Sequence, residues 1–574
     1  MLHGGCRLIG YKFVKNAQSH TASRIPALGL LAVLGVPLVW SLWGAITAGL
    51  EGAAWQALRL DPQTRSALTL SLWTGLLASG LSVLITAWLL SRHFPGPGWP
   101  RLLRFLSPML ALPHVAFAIG LAFLIAPSGW LLRALSPWAT GLTEPPPWLT
   151  TQDPWGLGLV AALVFKEVPF LLWTAATQLQ RPDVAQRWQQ ELQVARSFGY
   201  SPHAAWWRVL WPQLWPRLRW PMLAVLAYSL TVVDMALVIG PSSPPTLAVL
   251  AWQHLLDSDV AVNAQGAASA WLLAFVVTLV ASLFWQAPRL AFWRTRWTHG
   301  ARGKPQGQCQ CLVNRHGQDQ RSSASRSGTL GFYLLVSVYL AVMLALAVGS
   351  VAGLWPFPNL LPHSFTTQAW ASVAGSFSSV RTTLALALTS AVTALLWCVA
   401  WLEIAPPRWD ARLRPLFYVP LVLPPVLWVV GLHAMTLRLG LDASWVGVYL
   451  SHTLATVPYV LIALSPAYTG FDARYRHLSA SLGHGRLVFL WRVKWPLLKA
   501  SIAASLAIGF AVSVAQYLPT LFIGGGRMST VTTEAVSLTS GGQRALTSAY
   551  AWLQWLLPAT VFAVSAWCAK ARRF

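Results

Sequence analysis

Charge is what this chain has least of. Asp, Glu, Lys and Arg make up only 10% of its 574 residues, with 16 acids against 41 bases. So few charges cannot cover a water-wetted surface, and with 55% hydrophobic residues and a mean hydropathy of +0.53 the chain is excluded from the soluble proteins. A phosphate loop is also missing. Gly303-Lys304-Pro305 lacks both the Gly-x-x-x-x-Gly-Lys-Ser/Thr spacing and the hydroxyl, so no ATP hydrolysis by this chain is expected and the reading is a non-enzyme. Zinc spacing is absent as well. Cys309-Gln310-Cys311 with His299 and His316 makes no ligand pattern, so no metal and no cofactor is expected in the chain itself.

What the chain has instead is long apolar runs. Helices of about 20 residues fit 26–49, 68–90, 104–126, 156–178, 219–240, 266–286, 329–353, 381–402, 414–437, 443–465, 500–523 and 548–568. The fold class is therefore all-α integral membrane, with about twelve spans in two six-helix halves. Residues 1–25 form an N-terminal segment, 26–286 the first half, 287–328 a basic linker and 329–574 the second half. The apolar run from Ile25 to Leu50 is longer than a signal-peptide core and shows no clear cleavage site, so it reads as a retained first helix.

A net charge of +25 could point to nucleic acid, but its distribution points to a bilayer. With the N-terminus in the cytoplasm, the outer loops hold seven bases (Arg59, Arg65, Arg133, Arg381, Arg438, Arg527 and Arg544), Lys166 lies in a span, and the remaining 33 are cytoplasmic. The positive-inside rule then sets both termini and the linker in the cytoplasm. Cys6, Cys309, Cys311, Cys398 and Cys568 fall on that side or within spans, so no disulfide framework follows. Many of the 34 Trp sit near span ends, as an interfacial belt would have them.

One polar stretch occurs twice. Gln193-Val194-Ala195-Arg196-Ser197-Phe198-Gly199 with Arg208-Val209-Leu210-Trp211-Pro212 returns 284 positions later as His477-Leu478-Ser479-Ala480-Ser481-Leu482-Gly483 with Arg492-Val493-Lys494-Trp495-Pro496. Glycine tolerates the left-handed cap of a helix and proline its first turn, so each copy should be helix, turn and helix between two spans. The repeat extends further: Leu112-Pro113 precedes Gly120 as Leu423-Pro424 precedes Gly431, and such prolines kink a span. Charge inside a span costs roughly 2.5–3.5 kcal/mol, so Lys166 and Glu167 must face a partner helix or water. They either brace the bundle or line a pathway, and His452 poses the same choice.

The doubled Gly-to-Pro interval resembles the Glu-Ala-Ala loop of type I ABC importer permeases, matched here by Ala195, Gly199, Val209, Pro212, Gly483, Val493 and Pro496. Gln193 and His477 stand where that family has Glu, and Ser479 replaces an Ala. The chain resembles two such halves fused, as in thiamine and ferric-iron importers. Around Val232–Ala236 and Ala515–Leu521 it looks most like the YnjC-type inner-membrane permeases.

The resemblance implies a bacterial inner-membrane permease with two cytoplasmic ABC ATPase subunits that bind the ATP, a periplasmic solute-binding protein, and no nucleic-acid partner. It makes Ala195, Ser197, Gly199, Arg208, Pro212, Ser479, Ser481, Gly483, Arg492 and Pro496 the ATPase-coupling residues. Asp234, Gln516 and Tyr517, with Lys166, Glu167 and His452, become candidates for the pathway lining. The alternative is a twelve-helix secondary transporter, whose acidic and basic pattern between the second and third spans is missing here.

Overall fold

A computed structural model describes residues 24–96, 98–179, 182–286 and 313–570. The expected N-terminal segment as far as residue 23, the linker over 287–312, and Cys6, His299, Cys309 and Cys311 lie outside these residues. The principal helices of the first half are α1 (Arg24–Ala48), α2 (Pro62–His93), α3 (Trp99–Ala111), α4 (His114–Ile125), α5 (Leu157–Leu179), α6 (Pro182–Ser197), α7 (Trp211–Thr231), α8 (Asp234–Ile239), α9 (Leu247–Leu255) and α10 (Val260–Gln286). The second half repeats the order as α11 (Val313–Val351), α12 (Phe377–Ile404), α13 (Pro407–Phe417), α14 (Pro425–Arg438), α15 (Trp445–Thr469), α16 (Arg474–Ser481), α17 (Lys499–Val514), α18 (Leu518–Gly524), α19 (Val531–Ser537) and α20 (Arg544–Lys570). Residues 313–328 of the expected linker are the first turns of α11.

The fold is all-α and membrane-spanning, but not every expected span is one rod. Among the described residues nine helices are long and apolar enough to cross a bilayer, and eleven if each of two sharply bent pairs is a single span. The expected span 219–240 is the one left over. Its helix α7 starts among Pro212, Pro216, Arg217, Arg219 and Pro221, and it stops at Thr231 before α8 resumes at Asp234. The expected span 500–523 breaks likewise between Val514 and Leu518. Leu112-Pro113 and Leu423-Pro424 do more than kink their spans: Leu112, Pro113 and Leu423 are extended, and the chain turns by 106° at the second site. A proline has no N–H to carry the helix through, and a break survives at membrane depth only where protein or a cavity covers it.

The halves interlock through their first helices. α1 packs on α14 of the second half and α11 on α4 of the first. Trp397 of α12 donates its Nε1–H to the Leu30 carbonyl of α1 at 2.9 Å, and Tyr339 of α11 donates to the Phe165 carbonyl of α5 at 2.9 Å. The repeated glycines sit at these crossings. A Cβ on Gly120 would collide with Val342 of α11, and one on Gly431 with the Ser41 carbonyl of α1. Small residues let membrane helices approach this closely.

Candidate functional site

The two copies of the polar stretch fold alike. At the end of α6, Gly199 takes φ +86°, with the Tyr200 N–H on the Ala195 carbonyl at 3.2 Å and its own N–H on Arg196 at 3.0 Å. At the end of α16, Gly483 takes φ +77°, with His484 on Ser479 at 3.0 Å and its own N–H on Ala480 at 3.0 Å. This is the glycine cap of a helix closing its last carbonyls. No atom lies within 4 Å of where either Cβ would stand, so glycine is present for its backbone angle and not for room. A π-helical turn follows in both, Trp206–Leu210 and Leu490–Lys494, and then Pro212 or Pro496 in the first turn of the next helix. Ser197 and Ser481 bond back to the carbonyls of Val194 and Leu478, at 2.7 and 2.8 Å. Ala195 and Ser479 are buried, while Arg208 and Arg492 are exposed, with Arg208 5.9 Å over the Tyr200 ring.

Their anchors differ. In the first copy, Trp188 of α6 is buried and donates to Gln213 Oε1 at 3.0 Å. Gln213 donates in turn to Glu191 Oε2 at 2.6 Å, and Arg187 holds the other carboxylate oxygen at 2.9 Å. Burial pushes the Glu191 carboxyl up, but the hydrogen bonds from Gln213 and Arg187 outweigh it and hold it below the usual carboxylate range. A cavity of about 460 Å³ opens beside this copy, walled by Val194, Ala195, Phe198, Tyr200 and Val209. In the second copy the anchor is ionic. Glu403, at the end of α12, receives Arg486 at 3.1 Å, Lys494 at 2.7 Å and the Tyr468 hydroxyl at 3.0 Å, with the Lys494 ammonium 3.8 Å over the Tyr468 ring. Neither Glu191 nor Glu403 stands out in the sequence, because Gln213 lies 22 residues from the first and Tyr468, Arg486 and Lys494 lie 65, 83 and 91 residues from the second.

The pathway candidates separate into two groups. Lys166 is buried and gives its ammonium to the Leu112 carbonyl at 2.6 Å and to Met109 at 3.4 Å, so it closes the break before Pro113. His452, 1% exposed, bonds Ser513 at 2.8 Å and Thr520 at 2.9 Å through its two ring nitrogens. Both nitrogens are engaged between α15, α17 and α18, the arrangement of a side chain that braces helices. Glu167 and Asp234 lie on packed elements instead, since α8, which Asp234 opens, packs on α4 and on α5, which carries Glu167. Glu167 stands 3.6 Å from His114 Nε2, and the His114 ring lies 4.9 Å from the Tyr228 ring. Tyr459, on α15 of the other half, is 40% exposed. Gln516, next to Tyr517, donates to the Val512 carbonyl in the last turn of α17 at 3.3 Å. Sequence reasoning missed His114, Tyr228 and Tyr459, although His114 follows the repeated Leu-Pro and Tyr459 follows Pro458.

The turns above these breaks are latched alike. Ser71 of α2 accepts the Leu247 N–H at 2.7 Å, and Thr383 of α12 accepts the Val531 N–H at 2.9 Å. The two latched N–H groups open α9 and α19, so the pseudo-repeat reaches the far ends of both broken spans.

No family model matches the chain. It is 34% identical over 547 residues to the inner membrane ABC transporter permease protein YnjC of Escherichia coli, covering 94% of this chain and 95% of that one. Shorter stretches match the molybdenum transport system permease protein ModB of Mycobacterium tuberculosis, at 32% over 133 residues with 21% of this chain and 50% of that one covered. The thiamine transport system permease protein ThiP of Brucella suis matches at 26% over 136 residues, covering 21% and 25%.

Proposed function

This chain belongs to the inner-membrane permeases of ABC importers, and from that premise we propose that it supplies both halves of one solute pathway and docks one ATPase subunit at each repeated loop. Its relatives are ABC permeases, which displaces the secondary-transporter alternative, and such permeases work with ATPase subunits and a solute-binding protein. We read the partners as two ATPases that bind the ATP and one periplasmic binding protein, with both termini and both loops in the cytoplasm.

The observation that carries this reading is the doubled geometry: a capped helix, a left-handed glycine, a π-turn and a proline, twice, 284 residues apart. A dimeric motor needs two equivalent handles. Closure of the ATPase dimer on ATP would pull on Ala195–Trp206 and Ser479–Leu490 and open the pathway outward, and hydrolysis would reset it, a rigid-body switch between two states. The handles are greasy, with Val194 and Phe198 exposed on one and Leu478, Leu482, Leu487 and Trp491 on the other, as surfaces that bury against a partner are. Relatives named for molybdenum, thiamine and spermidine/putrescine transport differ so widely in cargo that family membership sets no solute.

The test is to purify the permease in mild detergent with the ABC ATPases of its own cell and assay what is retained. A stoichiometric ATPase stimulated by the binding protein, and lost in the Gly199→Asp and Gly483→Asp double variant, is the expected result. A permease that retains no ATPase, or an ATPase indifferent to both glycines, would overturn the reading.

A further inference from the structure

We infer that His114, Glu167, Tyr228, Asp234, Tyr459 and Tyr517 form the point at which the pathway holds its solute, and that this ring selects an organic cation. The inference rests on the permease reading above and adds the substrate class.

Its place in the fold comes first. His114 opens α4 just after the Leu112-Pro113 break, Asp234 opens α8 after the Val232–Val233 break, and Tyr517 ends the Ala515–Tyr517 break as the residue before α18. Interrupted helices in a membrane are tolerated where they line a cavity or are covered by protein. The ring is drawn from both halves: Tyr517 shares one buried cluster with Val232, Val233 and Met235, which flank Asp234, and Tyr459 lies on α15 of the second half. It also has an open side. The His114 side chain is 41% exposed. Every residue from Ser451 to Val460 of α15 is buried except Tyr459, which is 40% exposed.

Its chemistry comes second. The Glu167 side chain is only 6% exposed, yet among the described residues its carboxylate accepts no hydrogen bond and has only the His114 imidazole at 3.6 Å. Asp234 accepts the Met235 N–H of its own first turn at 2.9 Å. The nearest ammonium, Lys166, is held by the carbonyls of Leu112 and Met109. Two carboxylates, one imidazole and three phenol rings remain. Carboxylates inside a bilayer are costly without a positive partner, and tyrosine faces attract cations most strongly when water is excluded. Among the described residues no three His, Cys, Asp or Glu groups converge tightly enough to hold a metal ion, so the ring suits a larger, organic cation over a bare one.

The experiment supplies cells carrying the permease, its ATPase and its binding protein with a defined mixture of organic cations, zwitterions, neutral solutes and organic anions. Mass spectrometry follows what disappears from the medium. At least one organic cation should be depleted, about tenfold more slowly with Glu167→Gln or Asp234→Asn. Tyr459→Phe, which keeps the ring face, should retain uptake that Tyr459→Leu loses. Each variant is checked for membrane level and for retained ATPase, which separates a misfolded protein from a disarmed site. Depletion of an anion or a neutral solute, no depleted cation, or wild-type rates in both carboxylate variants would overturn the inference while retained ATPase left the permease reading standing. A wild-type chain that retained no ATPase would instead sink the reading beneath it.

Discussion

The two repeated loops share a backbone but not an anchor. Both place a left-handed glycine, a π-turn and a proline at the same spacing, yet the first is fastened by the Trp188–Gln213–Glu191 chain of hydrogen bonds and the second by Glu403 with Arg486, Lys494 and Tyr468. The first helix, α6, has 16 residues and buries Trp188, Leu192 and Ala195 against the bundle. The second, α16, has 8 and buries Ser479 alone among its own residues. What must be equal for a symmetric motor is where the backbone goes. How each half holds it there is free to differ, because an amide network and an ion-pair clamp can hold one geometry equally well.

That contrast can be broken in steps. The largest effect should come from Gly199→Asp combined with Gly483→Asp. A left-handed residue other than glycine costs roughly 1–2 kcal/mol, and the new carboxylate lies on the apolar face offered to the partner, so ATPase retention should vanish while the protein stays in the membrane. Next, Trp188→Ala should cost about 3–5 kcal/mol of local packing. It should free the first loop to protease or hydrogen exchange and leave the second as it was. Glu403→Gln should do the converse at about 2 kcal/mol, loosening the second loop by stranding the half-buried Lys494 and lowering ATPase stimulation without touching the first. The smallest change, about 1 kcal/mol, is expected for Gln213→Leu, which removes the bridge from Trp188 to Glu191 and should show as faster exchange in α6 alone. If Trp188→Ala and Glu403→Gln each loosened both loops equally, the loops would not be independently anchored.

Much of this was legible in the sequence, for physical reasons that can be named. Gly199 and Gly483 announce a backbone angle that other residues avoid, and Pro212 and Pro496 a helix start, so the loops could be found from spacing alone. The apolar runs gave the membrane helices, but not their breaks: hydropathy averages over Val232–Val233 and Ala515–Tyr517 because the interrupted stretches are themselves apolar. Gly120 and Gly431 could be paired by position, but the reason for the pairing, a first helix arriving from the opposite half, depends on packing that no local pattern encodes. The same limit hid Glu403, whose partners Arg486 and Lys494 follow 83 and 91 residues later. Lys166 and His452 were visible as intramembrane polar groups. Their partners, the Leu112 carbonyl, Ser513 and Thr520, are brought beside them only by the fold.

The central claim is that one chain carries two equivalent ATPase handles, and the mass of the intact complex measures it directly. Native mass spectrometry of the purified assembly should give two ATPase subunits per permease chain. Loss of ATPase, without preference for which handle was altered, should follow from Gly199→Asp or Gly483→Asp alone, and complete loss from the pair. A wild-type complex holding a single ATPase, or a double variant that still holds two, would contradict the account.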